Sequence, residues 1–97
     1  MPQTPAGPSA HPVYAISVAA ELTGSGVQSL RLYEQIGLVE PARTPGGTRR
    51  YSDADIERVE RIVELLGDGI NLAGIGRVLE LEAENAQLRA RLADVNR

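Results

Sequence analysis

Residues 25–51, SGVQSLRLYEQIGLVEPARTPGGTRRY, constrain the fold most, because a helical pattern runs there directly into a turn rich in Pro, Gly and Arg. Plotted at about 100° per residue, Val27, Leu30, Tyr33 and Glu34 share one side of the helix, and Gln28, Arg31, Leu32 and Gln35 share the other. The first side needs a core to cover it. The second carries Gln, Arg and Gln, whose planar forks match the edges of adenine and guanine in a major groove. A polar outer stripe is also what any surface helix shows, so the residues that follow decide between the two readings. Residues 38–43 and 48–51 predict two short extended runs around Thr44-Pro45-Gly46-Gly47, where Pro at i+1 and Gly at i+2 suit a type II turn. Arg43, Arg49 and Arg50 lie on that hairpin with only Glu40 opposing them. Cationic charge gathered on a protruding ribbon suits contact with phosphates, whereas a soluble edge ribbon is the plainer alternative.

The overall charge points the other way and has to be resolved by position. The chain carries a formal charge of −3, yet residues 1–50 hold four Arg against three Glu, and residues 51–97 hold six Arg against ten acids. The acidity belongs to the C-terminal half, which leaves a small, locally basic binding face. With 97 residues, 42% of them apolar and only three aromatics, the chain supports one small domain with a thin aliphatic core, so help from a partner is expected. No Cys is present, which excludes disulfides, thiolate metal sites and a cysteine nucleophile. His11 is the single imidazole and lies in a Pro-rich segment, so no metal site, cofactor or enzymatic activity is expected. No apolar run approaches the roughly 20 residues that span a bilayer, and no signal peptide is recognisable. A cytoplasmic protein without membrane contact is predicted.

Read in order, residues 1–12 carry four of the six prolines and predict a disordered tail. Residues 13–16 suit a short extended lead-in. Ser17 stands where an N-cap belongs for a first helix of about two turns, ended by Thr23-Gly24. Ser25 with Gln28 resembles a capping box for the second helix. A short helix, a glycine-containing turn and a second helix make a helix-turn-helix. After the hairpin, Ser52-Asp53-Ala54-Asp55 supplies an N-cap and first-turn acids for a third helix. Ile56, Val59, Ile62, Val63, Leu65 and Leu66 mark its apolar face, and Gly67-Asp68-Gly69 ends it. Asn71 caps a final helix over residues 72–96.

That last helix carries a heptad seam: Val78, Leu81, Asn85, Leu88, Leu92 and Val95 alternate three and four residues apart, with Asn85 at an a position. A seam needs a second helix, and a second copy of the chain is the expected partner. Parallel pairing brings Asn85 against its own copy; antiparallel pairing sets Val78 against Val95 and Leu81 against Leu92. The flanking charges suit both. Leu72, Ile75 and Leu79 lie off the seam and are free to anchor the start of the helix.

Taken together, these residues resemble the MerR family of bacterial transcription regulators. The likeness runs through Ile16-Ser17-Val18-Ala19-Ala20-Glu21-Leu22, then Leu30-Arg31-Leu32-Tyr33-Glu34 with Gly37-Leu38-Val39, then Arg43, Gly47, Arg49, Arg50 and Tyr51, and covers residues 14 to about 82. Within that family ISVAAEL and INLAGI look most like the HspR-type heat-shock repressors. The resemblance implies a mainly α fold: a winged helix-turn-helix head over residues 13–70 and a coiled-coil dimerisation helix over 71–97. It implies a homodimer joined by an antiparallel coiled coil on double-stranded DNA with an inverted-repeat operator, and a chaperone co-repressor as a further partner. Expected DNA contacts are Ser17, Gln28, Ser29, Arg31, Tyr33 and Gln35 with Arg43, Arg49, Arg50 and Tyr51 of the wing. Val27, Ser29 and Leu32 depart from residues common in the family, and no C-terminal sensory domain is expected. A promoter-remodelling activator and a coiled-coil interaction module without DNA binding are the competing readings.

Overall fold

A computed structural model of the chain describes residues 9–96. It is mainly helical, with a small antiparallel sheet and a long last helix: β1 (Pro12–Tyr14), α1 (Ile16–Thr23), α2 (Val27–Gln35), β2 (Ala42–Arg43), β3 (Arg49–Ser52), α3 (Asp53–Gly67) and α4 (Leu72–Val95). The chain divides into two compact units, Met1–Glu64 and Leu65–Arg97.

The first unit is built on a core of Ala19, Leu30, Tyr33, Leu38, Val39, Tyr51, Ile56, Val59 and Ile62, all buried. Each such aliphatic side chain stabilises the fold by about 1.5–3 kcal/mol relative to exposure. The inner side assigned to α2 is therefore right for Leu30 and Tyr33, and α1 touches α2, β1 and β3. In the sheet, β3 lies between β1 and β2 and pairs antiparallel with both. Arg43 faces Arg49, Ala42 faces Arg50, and Tyr14 faces Tyr51. The extended lead-in is thus the third strand.

The first two helices do not start at the nearest capping side chain, and for α1 the sheet sets the start. Helix α1 begins two residues before the predicted start, with Ala15 as N-cap and no side-chain cap, which puts Ser17 inside the first turn. The pairing of β1 with β3 fixes where the extended backbone ends, and the first helical bond, Ala19 N–H to the Ala15 carbonyl at 2.9 Å, follows at once. Helix α2 is likewise capped by Gly26 and not by Ser25. One residue outside the cap, Ser25 does not make the predicted box with Gln28, and its Oγ is buried without a partner among the described residues.

The caps of α3 and α4 form as expected. Asp55 N–H donates to Ser52 Oγ at 3.0 Å and Ser52 N–H donates to the Asp55 carboxylate at 2.9 Å, a reciprocal box that satisfies the buried Ser52. Asn71 Oδ1 accepts from Gly74 N–H at 2.8 Å. Of the expected disordered tail, residues 1–8 lie outside the described residues. Ser9 to Pro12 run along the head: the Ser9 carbonyl accepts from Ala54 N–H at 3.0 Å, and Pro12 sits opposite Ser52. Beside them Tyr14 Oη donates to Asp53 at 2.6 Å, which ties β1 to the first turn of α3.

In the second unit Leu65, Ile75 and Leu79 are buried. The seam positions are not: Leu81, Leu88, Leu92 and Val95 are 45%, 58%, 61% and 78% exposed, rising toward the C-terminus. No helix among the described residues is long and apolar enough to cross a membrane.

Candidate nucleic-acid interface

The interface is organised by the way α2 ends. Gly37, at φ 82°, turns the chain out of the helix while its N–H donates to the Glu34 carbonyl at 3.0 Å and the Leu38 N–H to the Tyr33 carbonyl at 2.8 Å. This paired closure leaves Leu38 and Val39 buried and aims the chain toward β2. Arg58 Nε on α3 donates to the Leu38 carbonyl and holds that exit from the other side.

The wing turn differs from the predicted type. Gly47 N–H donates to the Thr44 carbonyl at 2.8 Å and Thr44 N–H to the Thr48 carbonyl at 2.8 Å, but the positive φ lies at Gly47, 86°, and not at Gly46. A type II turn needs it at Gly46. The wing instead uses a type I turn followed by a left-handed residue, because that combination twists with the strands it joins. A side chain at position 47 would be strained there, whatever the room around it.

Helix and wing are joined by a residue that the sequence reading grouped with the inner side of α2 and gave no role. Glu34 accepts from Arg43 Nη2 with one carboxylate oxygen and from Arg49 Nε with the other, so one acid on α2 holds an arginine from each strand of the hairpin. Glu40, the acid expected to oppose the wing, is exposed. The signal for Glu34 was the spacing of a single acid one helical turn before the glycine exit, on the side facing the wing.

On the opposite side of α2, Gln28, Arg31 and Gln35 are exposed, Ser29 is half-buried, and Leu32 and Ile36 are 42% and 47% exposed apolar residues among them. Ser17 is exposed on α1. Arg50 is half-buried and lays Nη1 against the Arg49 carbonyl at 3.4 Å. Two expected contacts are placed otherwise. Tyr33 is 5% exposed and Tyr51 wholly buried, so both side chains serve the core. Burial, and then the Glu34 carboxylate, raise the Tyr51 phenol above its ordinary pKa, against a smaller opposing pull from Arg49. Among the described residues no group of His, Cys, Asp or Glu is placed to hold a metal ion.

Residues 14–82 match the family described as MerR HTH family regulatory protein. A Streptomyces coelicolor protein that carries the name heat shock protein HspR is 54% identical over 85 residues, 87% of this chain and 56% of its own length. The chain therefore spans little more than half of that relative. Among solved structures, HiNmlR, a MerR family regulator lacking the sensor domain and bound to promoter DNA, superposes with a TM-score of 0.65 at 25% identity, covering 87% of this chain and 76% of its own. The N-terminal part of Mta, the Bacillus subtilis multidrug transporter activator, gives 0.65 at 29% identity, covering 86% and 88%.

Proposed function

The chain belongs to the MerR family of helix-turn-helix regulatory proteins, and from that premise we propose that it is a cytoplasmic, sequence-specific DNA-binding transcription regulator that acts as a homodimer on an inverted-repeat operator. The observation that carries the proposal is the junction at Glu34. A free surface helix needs no tether to a basic ribbon; here one acid fixes Arg43 and Arg49 to the same helix whose outer side exposes Gln28, Arg31 and Gln35. Base-reading forks and phosphate-seeking cations are thereby held in one frame.

The dimer is supported by α4. Its seam side chains are exposed, and a stripe of Leu and Val at heptad spacing is covered most simply by a second copy. Asn85 on that seam limits the ways two copies can pair. The target genes are read from the relatives: the 54% identical protein is named for heat shock, and the resemblance is to heat-shock repressors, so repression of heat-shock or chaperone genes, with a chaperone as co-repressor, is the proposed role.

Mapping the DNA bound by this chain in cells of its source, with and without heat shock, tests the proposal. The expected result is enrichment at a small set of chaperone promoters that share a sequence with two-fold symmetry. Binding spread evenly over the genome would overturn it.

A further inference from the structure

Leu32 is an apolar residue in polar company. It is 42% exposed on the outer side of α2, with Gln28 one helical turn before it, Gln35 one turn after it and Arg31 beside it, all three exposed. Single apolar side chains on a surface are ordinary. Position sets this one apart, because whatever covers the two glutamines and the arginine covers Leu32 with them. Its place is also rigid: Leu30 and Tyr33 on the inner side are buried in the core, and the Leu32 carbonyl accepts from Ile36 N–H at 3.0 Å. Ile36 is as exposed, at 47%, but stands at the C-cap, past the last residue of the helix.

A surface that fits this stripe has to offer hydrogen-bonding groups and an apolar spot within reach of one helical turn. An A·T pair does so on its major-groove edge: adenine N7 and N6 suit the fork of a glutamine, and the thymine C5 methyl group lies beside them. Resting on the DNA-binding reading above, we propose that Leu32 is a specificity-determining residue that packs on a thymine methyl group in each half-site, so that a glutamine and a leucine together read one A·T pair. The leucine adds a preference that no hydrogen bond carries, since cytosine has no methyl group at C5. The gain comes from removing apolar surface on both partners from water, and a side chain fixed on a core-anchored helix has little freedom to lose on binding. The tether through Glu34 holds the cationic wing to this same helix, which favours a nucleic acid over an apolar protein surface as the occupant.

The test uses the full chain and a duplex recovered from a random-sequence library, in which each thymine in turn is replaced by deoxyuridine. The replacement removes the methyl group and leaves every hydrogen-bonding group in place. Binding is followed by fluorescence anisotropy, and thermal unfolding of each variant checks that the head is folded. For the wild type, replacement at one thymine of a half-site is expected to weaken binding about fourfold, the effect of one methyl group no longer buried. Leu32→Ala is expected to bind the thymine and deoxyuridine duplexes alike, and Leu32→Gln, a second variant at the same exposed position, likewise. Ile36→Ala, which removes apolar surface from the same side of the head, is expected to keep the wild-type difference. A recovered duplex in which no thymine replacement weakens binding, a difference that survives Leu32→Ala, or one that Ile36→Ala erases would overturn the proposal and leave the DNA-binding reading standing. Failure of the wild-type chain to bind any recovered duplex would overturn that reading and this one with it, and is distinct from every other outcome.

Discussion

Single residues on α2 and β3 separate reading from packing. Arg31 is exposed in the middle of the outer stripe, and the proposed function makes it a forked cation for a guanine edge. Arg31→Ala is expected to weaken binding to the preferred site by about 1–3 kcal/mol and to relax base preference at one position per half-site. Comparison of cognate and random duplexes checks this: equal loss on both would move Arg31 to a phosphate-contact role. Tyr51 is the opposite case, a residue that pattern reading set at the DNA and folding set in the core. Its hydroxyl is buried with no partner among the described residues, so Tyr51→Phe is expected to raise stability by about 1 kcal/mol, measured by urea unfolding, with DNA affinity unchanged. Tyr14 and Tyr51 are both raised above the ordinary phenol value of 10.0, Tyr14 chiefly by its hydrogen bond to Asp53 and Tyr51 chiefly by burial. A raised acid binds its proton more tightly in the folded state, so this contribution is complete below the ordinary tyrosine range and is lost as pH climbs above it. Urea unfolding across alkaline pH should therefore show a steeper decline for the wild type than for the Tyr14→Phe, Tyr51→Phe double variant.

At the level of elements, what the sequence made legible was whatever is decided locally. The glycine stops after α1 and α3, the Ser52 and Asn71 caps and the two-sided pattern of α2 all follow from residues within one or two turns of each other. Ser17 misled because the start of a short helix is decided by what precedes it: β1 pairs with a strand some 35 residues further on, and no local signal carries that pairing. The turn type failed for a related reason, since the twist of the strands selects it and Pro-Gly at the centre suits more than one turn. The Glu34 junction needed three elements to be placed before its partners could be seen. A corollary concerns Ser52, where β3 ends and α3 begins without a linker. Ser52→Ala is expected to destabilise the head by about 1 kcal/mol or more, because it removes a cap from α3 and leaves Asp55 N–H without its acceptor. An unfolding midpoint unchanged in urea would show that water replaces the hydroxyl there.

For the whole molecule, a net charge of −3 leaves little general attraction to DNA, so the proposed operator binding calls for paired heads. Leu88→Asp with Leu92→Asp, both on the exposed seam, is expected to give a monomer that keeps most of its helicity and loses tight binding to the full operator. Sedimentation and gel-shift measurements on that variant settle the two-headed mechanism, which a monomer of wild-type affinity would sink. The strand pairing described for the head also fixes an order of folding. The hairpin of β2 and β3 closes through a three-residue loop, whereas β1 reaches β3 only after the intervening helices have been laid down, and closing the longer loop costs more chain entropy. The helix-turn-helix and wing should therefore come together first, with β1 zipping on late, after the rate-limiting step. On that view Tyr14→Phe speeds unfolding and scarcely slows folding, and during synthesis the first strand waits unpaired until the ribosome has released Ser52.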